Sequence, residues 1–373
     1  MEEKKVSWLE LFFDLIFVTA VSYTTHLFID IEQHPKEIVF YAGEYLLMVF
    51  PMFWLWTGQT MLFNRYSQNI PKPELFMLPQ MFFFILITAS LDFQFAHTYH
   101  SYLTGYLGVR VLTVLQYYIV AKRAGEKRKE VAGLLLRLFL PGVIIPFFSL
   151  FFEEHSRYVV MYAGIAADMI LPLFFKRSLI KAPVNLPHLA ERFGLFTLIT
   201  FGEALVATTG MLVGHTGDYH TLLFSALSFS LIALLWGSYF YGYEQLMDHH
   251  LETNGQVLLY GHFFILVSVM VLAGGIELLH TAELPHNVLM VLLFGPLILF
   301  LAIKHLVFYH HRKRAVAYYR REVMFIVAAL GLVPALNLIV DLSITLNLIL
   351  AIVLCGLEAF LQSGKHKRMS AGR

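Results

Sequence analysis

The chain has 373 residues, of which 58% are hydrophobic and only 14% are charged, and its mean hydropathy is +0.66. A soluble domain typically carries about 25% charged residues, so this composition excludes an ordinary water-soluble protein. The one cysteine, Cys355, excludes an intramolecular disulfide. We expect a lipid bilayer as the surroundings of the chain and no nucleic acid as a partner.

Apolar runs recur along almost the whole sequence. In lipid a backbone satisfies its own hydrogen bonds either as helices or as a closed barrel. Runs of about 20 residues fit a helical span, whereas barrel strands are shorter and alternate apolar with polar residues. The sequence therefore predicts an all-α integral membrane protein, a polytopic bundle of about twelve transmembrane helices. The predicted spans are 8–29, 37–63, 74–95, 98–121, 131–152, 158–175, 188–213, 220–243, 256–280, 285–303, 322–340 and 343–362.

Charge placement predicts the orientation of these spans. The first span begins too early for a signal peptide and carries acids. With the N-terminus inside, 22 of the 27 Lys and Arg residues fall on inner segments, Lys304 among them, and only Lys36 and Arg157 fall on outer ones. The positive-inside rule then places both termini in the cytoplasm. At this inner face His310 and His311, beside Arg312, Lys313 and Arg314, are predicted to meet anionic lipid head groups.

The two halves of the chain resemble each other at a spacing of about 181 residues. We predict two six-helix repeats within one membrane domain, residues 1–181 and 182–373, as in many transporters. The matched pairs are Glu10 with Glu191, Trp54 with Trp236, Asp92 with Glu277, Lys122 with Lys304, and Pro146 with Pro334.

Acids inside the first span are candidate functional residues, because a charge at bilayer depth costs at least a few kcal/mol. Glu10 and Asp14 share one helix face at i, i+4. Two carboxylates so close repel unless a cation or a basic side chain lies between them, and Arg137 or Arg192 could serve. The pair is either a cation or proton site or a structural ion pair between spans 1 and 7.

Glu203 is the strongest single candidate. It lies in the middle of a span within Thr200-Phe-Gly-Glu203, with no basic residue nearby in sequence. The other candidates for an ion, proton or ligand site are His26, Glu191, Arg192, Asp92, Glu277, Asp168 and His262. The tryptophans Trp8, Trp54, Trp56 and Trp236 are predicted to form interfacial belts. The run Asp248-His249-His250 could bind a metal, although a solvated loop fits its spacing better.

Four segments resemble the bacterial low temperature requirement A (LtrA) family and spread over both halves. The departures from the family pattern are Phe193, where the pattern has histidine, and Tyr241-Gly-Tyr-Glu244, where it has Phe-Asp. The resemblance implies a multi-pass bacterial inner-membrane protein linked to growth in the cold, and it implies no reaction. The segments are Trp8-Leu-Glu10-Leu-Phe-Phe-Asp14-Leu-Ile-Phe-Val18, Phe53-Trp54-Leu-Trp56-Thr-Gly-Gln-Thr with Asn64-Arg65-Tyr66, Leu189-Ala-Glu191-Arg192-Phe-Gly194-Leu-Phe-Thr197-Leu-Ile-Thr-Phe-Gly202-Glu203, and Tyr260-Gly-His262.

A fainter likeness is to the endolysosomal potassium/proton channel family, which also has six plus six helices. That family carries Phe-Ser-Asp on the first helix of each repeat. Phe12-Phe13-Asp14 is similar to this motif, whereas Phe193-Gly194-Leu195 in the second half lacks the acid.

Three functions remain open from the sequence. The leading hypothesis is a transporter or channel for a small solute or ion, a proton or cation, that uses buried carboxylates. The alternatives are a membrane-embedded lipid- or cofactor-binding protein or enzyme in cold adaptation, and a scaffold that transports nothing. No nucleotide-binding or hydrolase motif is present, no cofactor is indicated, and a homo-oligomer is compatible with the sequence.

Overall fold

The computed structural model describes residues 4–29, 32, 37–281, 284–313 and 320–370. This part of the chain is helical and contains no β-strand, apart from an isolated bridge between Met247 and Arg312. Ten of its helices are long and apolar enough to cross a membrane. The prediction of an all-α integral membrane protein is confirmed.

Fourteen α-helices follow one another in the described residues. Short 3₁₀ segments at Ser67–Asn69 and Ser149–Phe151 and a π-helical segment at Gly242–Leu246 extend some of them. The α-helices are α1 (Trp8–Ile29), α2 (Ile38–Tyr66), α3 (Glu74–Thr88), α4 (Phe95–Arg123), α5 (Glu126–Phe139), α6 (Pro141–Phe148), α7 (Glu154–Phe174), α8 (Lys176–Leu179), α9 (Leu186–Leu212), α10 (Tyr219–Tyr241), α11 (Gln256–Thr281), α12 (His286–His310), α13 (Arg320–Asn337) and α14 (Ile344–Ser370).

Two of the twelve predicted spans are not among the ten candidate spans. The predicted span 74–95 corresponds to α3, which is apolar but only 15 residues long. The predicted span 322–340 corresponds to α13, whose first turn carries Arg320, Arg321 and Glu322 and shortens its apolar stretch. Helices α5 and α6 together form one candidate span, Glu126–Phe151. The count of twelve therefore stays a prediction.

The first compact unit consists of Met1–Thr24, Gly43–Arg192 and His250–Gln256. In this unit α3 packs on α4, and α6 packs on α7. The α3–α4 contact is close because α4 presents Gly105, where an added Cβ would lie 2.6 Å from Ile87 Cγ1. Small residues let membrane helices approach each other closely.

The second compact unit consists of Thr25–Ala42, Phe193–His249 and Val257–Arg373. Here α14 packs on α10 and α13, and α13 packs on α12. Helix α10 begins with an N-cap: the Asp218 carboxylate accepts hydrogen bonds from the Thr221 hydroxyl and from the backbone N–H groups of Thr221 and His220. These hydrogen bonds hold the pKa of Asp218 below its ordinary value.

The units differ from the predicted repeats in three stretches of the chain. Residues 25–42 belong to the second unit, and residues 182–192 and 250–256 belong to the first. The predicted repeats, 1–181 and 182–373, stay a prediction.

Candidate functional site: buried charge clusters

Helix α1 begins with a capping box that fixes Glu10. The Ser7 hydroxyl accepts from the Glu10 backbone N–H at 3.3 Å, and the Glu10 carboxylate accepts from the Ser7 backbone N–H at 3.0 Å. This reciprocal pair satisfies backbone donors that a helix start leaves free. It holds the buried Glu10 carboxylate at the beginning of a candidate membrane span.

Arg192 bridges the two acids of α1. Its Nη1 lies 3.4 Å from Glu10 Oε1, its Nε donates to Asp14 Oδ2 at 3.3 Å, and its Nη2 also donates to Asp14. All three side chains are 2% exposed or less. One guanidinium therefore faces two carboxylates in the first unit, as one of the two predicted pairings requires.

The alternative prediction, that Arg137 is the basic partner of Glu10 and Asp14, is wrong. It lies on the exposed side of α5, and its Nε donates to the Gly133 carbonyl at 3.2 Å. Glu191 is also exposed and does not join the cluster, although it neighbours Arg192 in sequence. Adjacent residues on a helix point about 100° apart, so Arg192 turns inward and Glu191 outward.

Trp56 and His188 complete what we call the α1–α9 cluster: Glu10, Asp14, Trp56, His188 and Arg192. The Trp56 indole donates to Asp14 Oδ1 at 2.7 Å. His188 Nε2 lies 3.2 Å from Glu10 Oε1, and both side chains are buried. The cluster thus holds two acids, one permanent cation and one imidazole.

The neighbour Asn64 sets the tautomer of His188. The Asn64 amide is oriented by Asn185, whose N–H donates to Oδ1 at 2.9 Å and whose carbonyl accepts from Nδ2 at 2.8 Å. Asn64 Nδ2 then faces His188 Nδ1 at 3.0 Å. This network assigns Nδ1 as the acceptor and places the proton of neutral His188 on Nε2, towards Glu10.

Lys4 lies beside the cluster, just before the span begins. Its Nζ donates to the Phe63 carbonyl at 2.5 Å. Burial lowers the pKa of Lys4 to about 8, an effect that the nearby Glu10 carboxylate opposes and Arg192 reinforces. Near neutral pH, Lys4 can therefore gain or lose a proton, whereas the Arg192 guanidinium stays charged.

The pKa of Lys4 predicts unusual amine reactivity. We expect reaction of Lys4 with an amine-specific reagent to reach half its maximal rate near pH 8, against about 10.4 for a solvated lysine. Glu10→Gln should move this midpoint lower, because the carboxylate favours the ammonium form. Mass-spectrometric labelling against pH measures both midpoints, with the exposed Lys122 as the internal control. Equal midpoints for Lys4 and Lys122 would contradict the assignment.

A second buried ion pair lies in the first unit. Arg110 of α4 pairs with Asp168 of α7, both with no exposed side-chain area, and the Trp54 indole donates to Asp168 Oδ2 at 3.1 Å. Two glycines leave room for this ion pair. A Cβ added at Gly58 would lie 2.7 Å from Arg110 Nη1, and a Cβ added at Gly142 would lie 2.7 Å from Asp168 Cγ. Asp168 is thus held in a fixed pair.

Three buried glutamines join α2, α3 and α4 in the same unit. Gln59 exchanges amide hydrogen bonds with Gln116 at 3.1 Å, and Gln80 donates to Gln59 at 3.2 Å. Gln80 also donates to the Thr113 hydroxyl at 3.0 Å. These amides carry no net charge and give the interior of the first unit a polar layer.

The second unit holds its own charge cluster, which we call the α12–α14 cluster: Ser238, Lys304, His305 and Glu358. Lys304 Nζ donates to both Glu358 oxygens at 3.0 Å and to the Ser238 hydroxyl. His305 Nε2 lies 2.8 Å from Glu358 Oε1, and Ser238 donates to Oε2 at 2.7 Å. All four side chains are buried.

The position of Lys304 differs from the one assumed when basic residues were assigned to the predicted inner segments. Lys304 is buried inside α12 and does not lie on an inner segment. His311 is buried as well, and burial lowers its pKa to about 4, so it is neutral at pH 7 and drops out of the predicted lipid-facing group. His310 and Lys313 are exposed, and the lipid contact stays a prediction for them.

His262 is buried in the second unit among aromatic side chains. Its Nε2 lies 2.7 Å from the Tyr239 hydroxyl, and its Nδ1 lies 2.7 Å from the Leu258 carbonyl. Its ring centroid lies 4.6 Å from that of Phe193. The residue that departs from the family pattern thus packs against this histidine.

The remaining candidates lie on three helices and one connecting segment: Glu203 on α9, Glu277 on α11, His26 on α1, and Asp92 between α3 and α4. Glu203 is buried in the second unit, eleven residues beyond Arg192 along α9. Asp92 is exposed and accepts from the Gln94 backbone N–H at 2.8 Å, and Glu277 is partly buried in α11. His26 belongs to α1, but its side chain lies outside the described residues.

Two of the four tryptophans are not interfacial. Trp54 and Trp56 are buried and donate to Asp168 and Asp14, whereas Trp8 and Trp236 are exposed. The belt interpretation is therefore wrong for Trp54 and Trp56, because each indole N–H satisfies a buried carboxylate. Among the described residues, no three His, Cys, Asp or Glu side chains are grouped to hold a metal, the 244–255 loop included.

Sequence reasoning missed His188, Lys304, His305 and Ser7. The capping box Ser7-Trp-Leu-Glu10 was readable as the spacing S-x-x-E before an apolar run. A lysine at residue 304 followed an apolar run and looked like the end of a span. No local sequence pattern predicts which residue of another helix a side chain will contact.

Comparison with known proteins identifies the family of this sequence. The sequence model of the family described as bacterial low temperature requirement A protein (LtrA) matches residues 5–357. A protein described as uncharacterized, from Rhizobium meliloti (strain 1021), is 26% identical over 324 residues, which cover 81% of this chain and 76% of that relative. No solved structure matches the chain. Because the family match covers nearly the whole sequence, the chain belongs to the bacterial LtrA family of membrane proteins.

Proposed function

We propose that this protein moves protons or small monovalent cations across the membrane, as a transporter or channel, and that the α1–α9 cluster binds the moving ion. The observation that carries the proposal is the pairing of two buried carboxylates, Glu10 and Asp14, with the single permanent cation Arg192. A site with surplus negative charge inside an apolar span attracts a proton or a cation.

The charge balance of the cluster supports exchange. Arg192 neutralises one of the two carboxylates, and the other needs a further positive charge, because an unpaired buried charge is strongly destabilising. The ammonium form of Lys4 and an incoming cation each supply that charge. Lys4 is a titratable side chain whose pKa is about 8, so occupancy by a cation and loss of a proton can replace each other.

We place this activity in the bacterial inner membrane with both termini in the cytoplasm. The excess of basic residues on the predicted inner segments supports this orientation even without Lys304. The family description supports the further proposal that the activity serves growth at low temperature.

Flux through proteoliposomes tests the proposal. Purified protein is reconstituted with an internal pH dye, and proton flux is driven by K⁺ or Na⁺ gradients. We expect proton or alkali-cation flux well above that of protein-free vesicles, and a loss of at least roughly tenfold in Glu10→Gln, a floor below the roughly 10²- to 10⁴-fold that one positioned proton-transfer group contributes to a rate. Glu191→Gln changes an exposed acid of α9 and should leave the flux unchanged. Wild-type vesicles that match empty ones for protons, K⁺ and Na⁺ would refute the proposal.

A further inference from the structure

The same three-part arrangement is buried in each unit. In the first unit a basic residue of α4 and a hydrogen-bond donor of α2 contact an acid of α7. In the second unit a basic residue of α12 and a hydrogen-bond donor of α10 contact an acid of α14. The acids, Asp168 and Glu358, are each the fifteenth residue of their helix. The two arrangements are Arg110, Asp168 and Trp54 in the first unit, and Lys304, Glu358 and Ser238 in the second.

The two arrangements differ in whether they can exchange a proton. The Arg110 guanidinium is not deprotonated in proteins, and an indole N–H does not titrate. In the second unit the cation is a lysine, which can lose its proton. An imidazole, His305, is added there and lies 2.8 Å from the same carboxylate. The first unit thus holds a permanent ion pair, and the second holds groups that titrate.

We infer that Lys304, His305 and Glu358 form a proton-holding site of the second unit, whereas Arg110 and Asp168 form its fixed counterpart in the first. This inference rests on the proposed function and names the proton as the ion that the second unit handles. It assigns the bound proton to His305 and Glu358, with Lys304 as the counter-ion.

The geometry allows a balanced transfer. With the proton bound, the site holds the Lys304 ammonium, the Glu358 carboxylate and the His305 imidazolium, a net charge of +1. Transfer from His305 Nε2 to Glu358 Oε1, 2.8 Å away, breaks an N–H bond and forms an O–H bond. Neutral imidazole and a neutral carboxylic acid result, and release of the proton restores the carboxylate.

The surroundings of the site favour a functional role over a structural one. An ion pair that only joins two helices needs one counter-ion for its carboxylate, and Arg110 is that counter-ion for Asp168. Glu358 has Lys304 and Ser238 and also His305, an imidazole that a purely structural ion pair does not require.

Other titratable groups near the site are few in the part of the chain that the structure describes. Cys355 of α14 is buried beside Lys304, and His262 of α11 contacts Tyr239, next to Ser238. Helix α13 buries Val323, Ile326, Leu330, Val333 and Asn337, which do not titrate. In the π-helical segment Glu244 is exposed.

His305→Gln tests the inference, because glutamine keeps an amide donor for Glu358 but cannot carry a proton. Its matched control is His286→Gln, at the partly exposed start of the same helix. Infrared difference spectra of the reconstituted protein between about pH 5 and about pH 8, the range in which histidine titrates, report proton binding directly. We expect one imidazole and one carboxyl component in the wild type and in His286→Gln that His305→Gln lacks, with thermal stability retained, while the bands of the other histidines and carboxyl groups of the chain remain. Bands unchanged in His305→Gln would overturn the site.

Proton flux in the same vesicles separates the two proposals. Flux that falls roughly tenfold in His305→Gln and stays unchanged in His286→Gln supports the site and the proposed function together. If the wild type shows the titrating bands but no flux of any ion, the proton-holding site stands and the transport proposal fails. If the wild type transports and His305→Gln transports equally, the transport proposal stands and the site is refuted.

Discussion

Replacing Arg192 by glutamine is expected to destabilise the protein by roughly 3–5 kcal/mol, the cost of breaking a buried charge pair by removing one partner. The change leaves Glu10 and Asp14 buried and facing each other without the guanidinium that bridges them. Unfolding of the protein in detergent micelles, followed by helical circular dichroism, measures the change in the free energy of unfolding.

The matched control is Arg137→Gln, which removes an exposed arginine of α5. Its effect should stay within about 0.5 kcal/mol, as is usual for surface substitutions. Adding Asp14→Asn to Arg192→Gln should recover part of the loss, because only one carboxylate then lacks a partner. Equal free energies of unfolding for Arg192→Gln and Arg137→Gln would show that the α1–α9 cluster does not stabilise the fold.

The Arg110–Asp168 pair is expected to behave as a coupled unit. Asp168→Leu alone leaves a buried guanidinium without its counter-ion and should cost roughly 3–5 kcal/mol. The double variant Arg110→Met with Asp168→Leu removes both charges and should recover most of that loss, since apolar replacement of a buried pair is often close to neutral. A double-mutant cycle of unfolding free energies gives the coupling energy.

An exposed pair in the same unit serves as the control for this cycle. Lys181 and Glu130 are 2.6 Å apart, and their side chains are 47% and 58% exposed. Because water screens such a pair, its coupling energy should be about 0–1 kcal/mol. A coupling energy for Arg110 and Asp168 no larger than this one would contradict the buried geometry.

The sequence was sufficient to predict the helical membrane class and to name two arginines as possible partners of one pair of acids. Composition fixes the class, because a chain with so few charges cannot solvate itself in water. The i, i+4 spacing of Glu10 and Asp14 called for a cation or a basic side chain between them, and Arg192 was one of the two basic candidates. Asp168 was also a candidate, because an acid inside a predicted span is a functional hypothesis by default.

Contacts between helices could not be predicted from the sequence. Trp54 and Trp56 looked like interfacial anchors, since the sequence does not reveal that their N–H groups meet Asp168 and Asp14. The partnership of Lys304 with Glu358 spans 54 residues, and no local rule links them. Even the choice of Arg192 over Arg137 depended on which side of each helix faces the interior.

The buried cations show why composition alone underestimates the polar interior. Arg110, Arg192 and Lys304 each sit in a candidate membrane span with no exposed side-chain area, and each has an acid within contact. Such pairs let a membrane helix carry charge without exposing it to lipid. Only in the α1–α9 and α12–α14 clusters, among the described residues, do these cations share their acids with a histidine.

The most direct measurement of the central claim is the cation or proton flux per folded molecule of Asp14→Asn in proteoliposomes. Asparagine keeps an acceptor for Trp56, and Glu10 remains as counter-ion for Arg192, so the variant should stay folded. It removes the surplus negative charge to which we assign ion binding. We predict that flux falls roughly tenfold or more while thermal stability stays near that of the wild type. Undiminished flux per folded molecule would contradict the account.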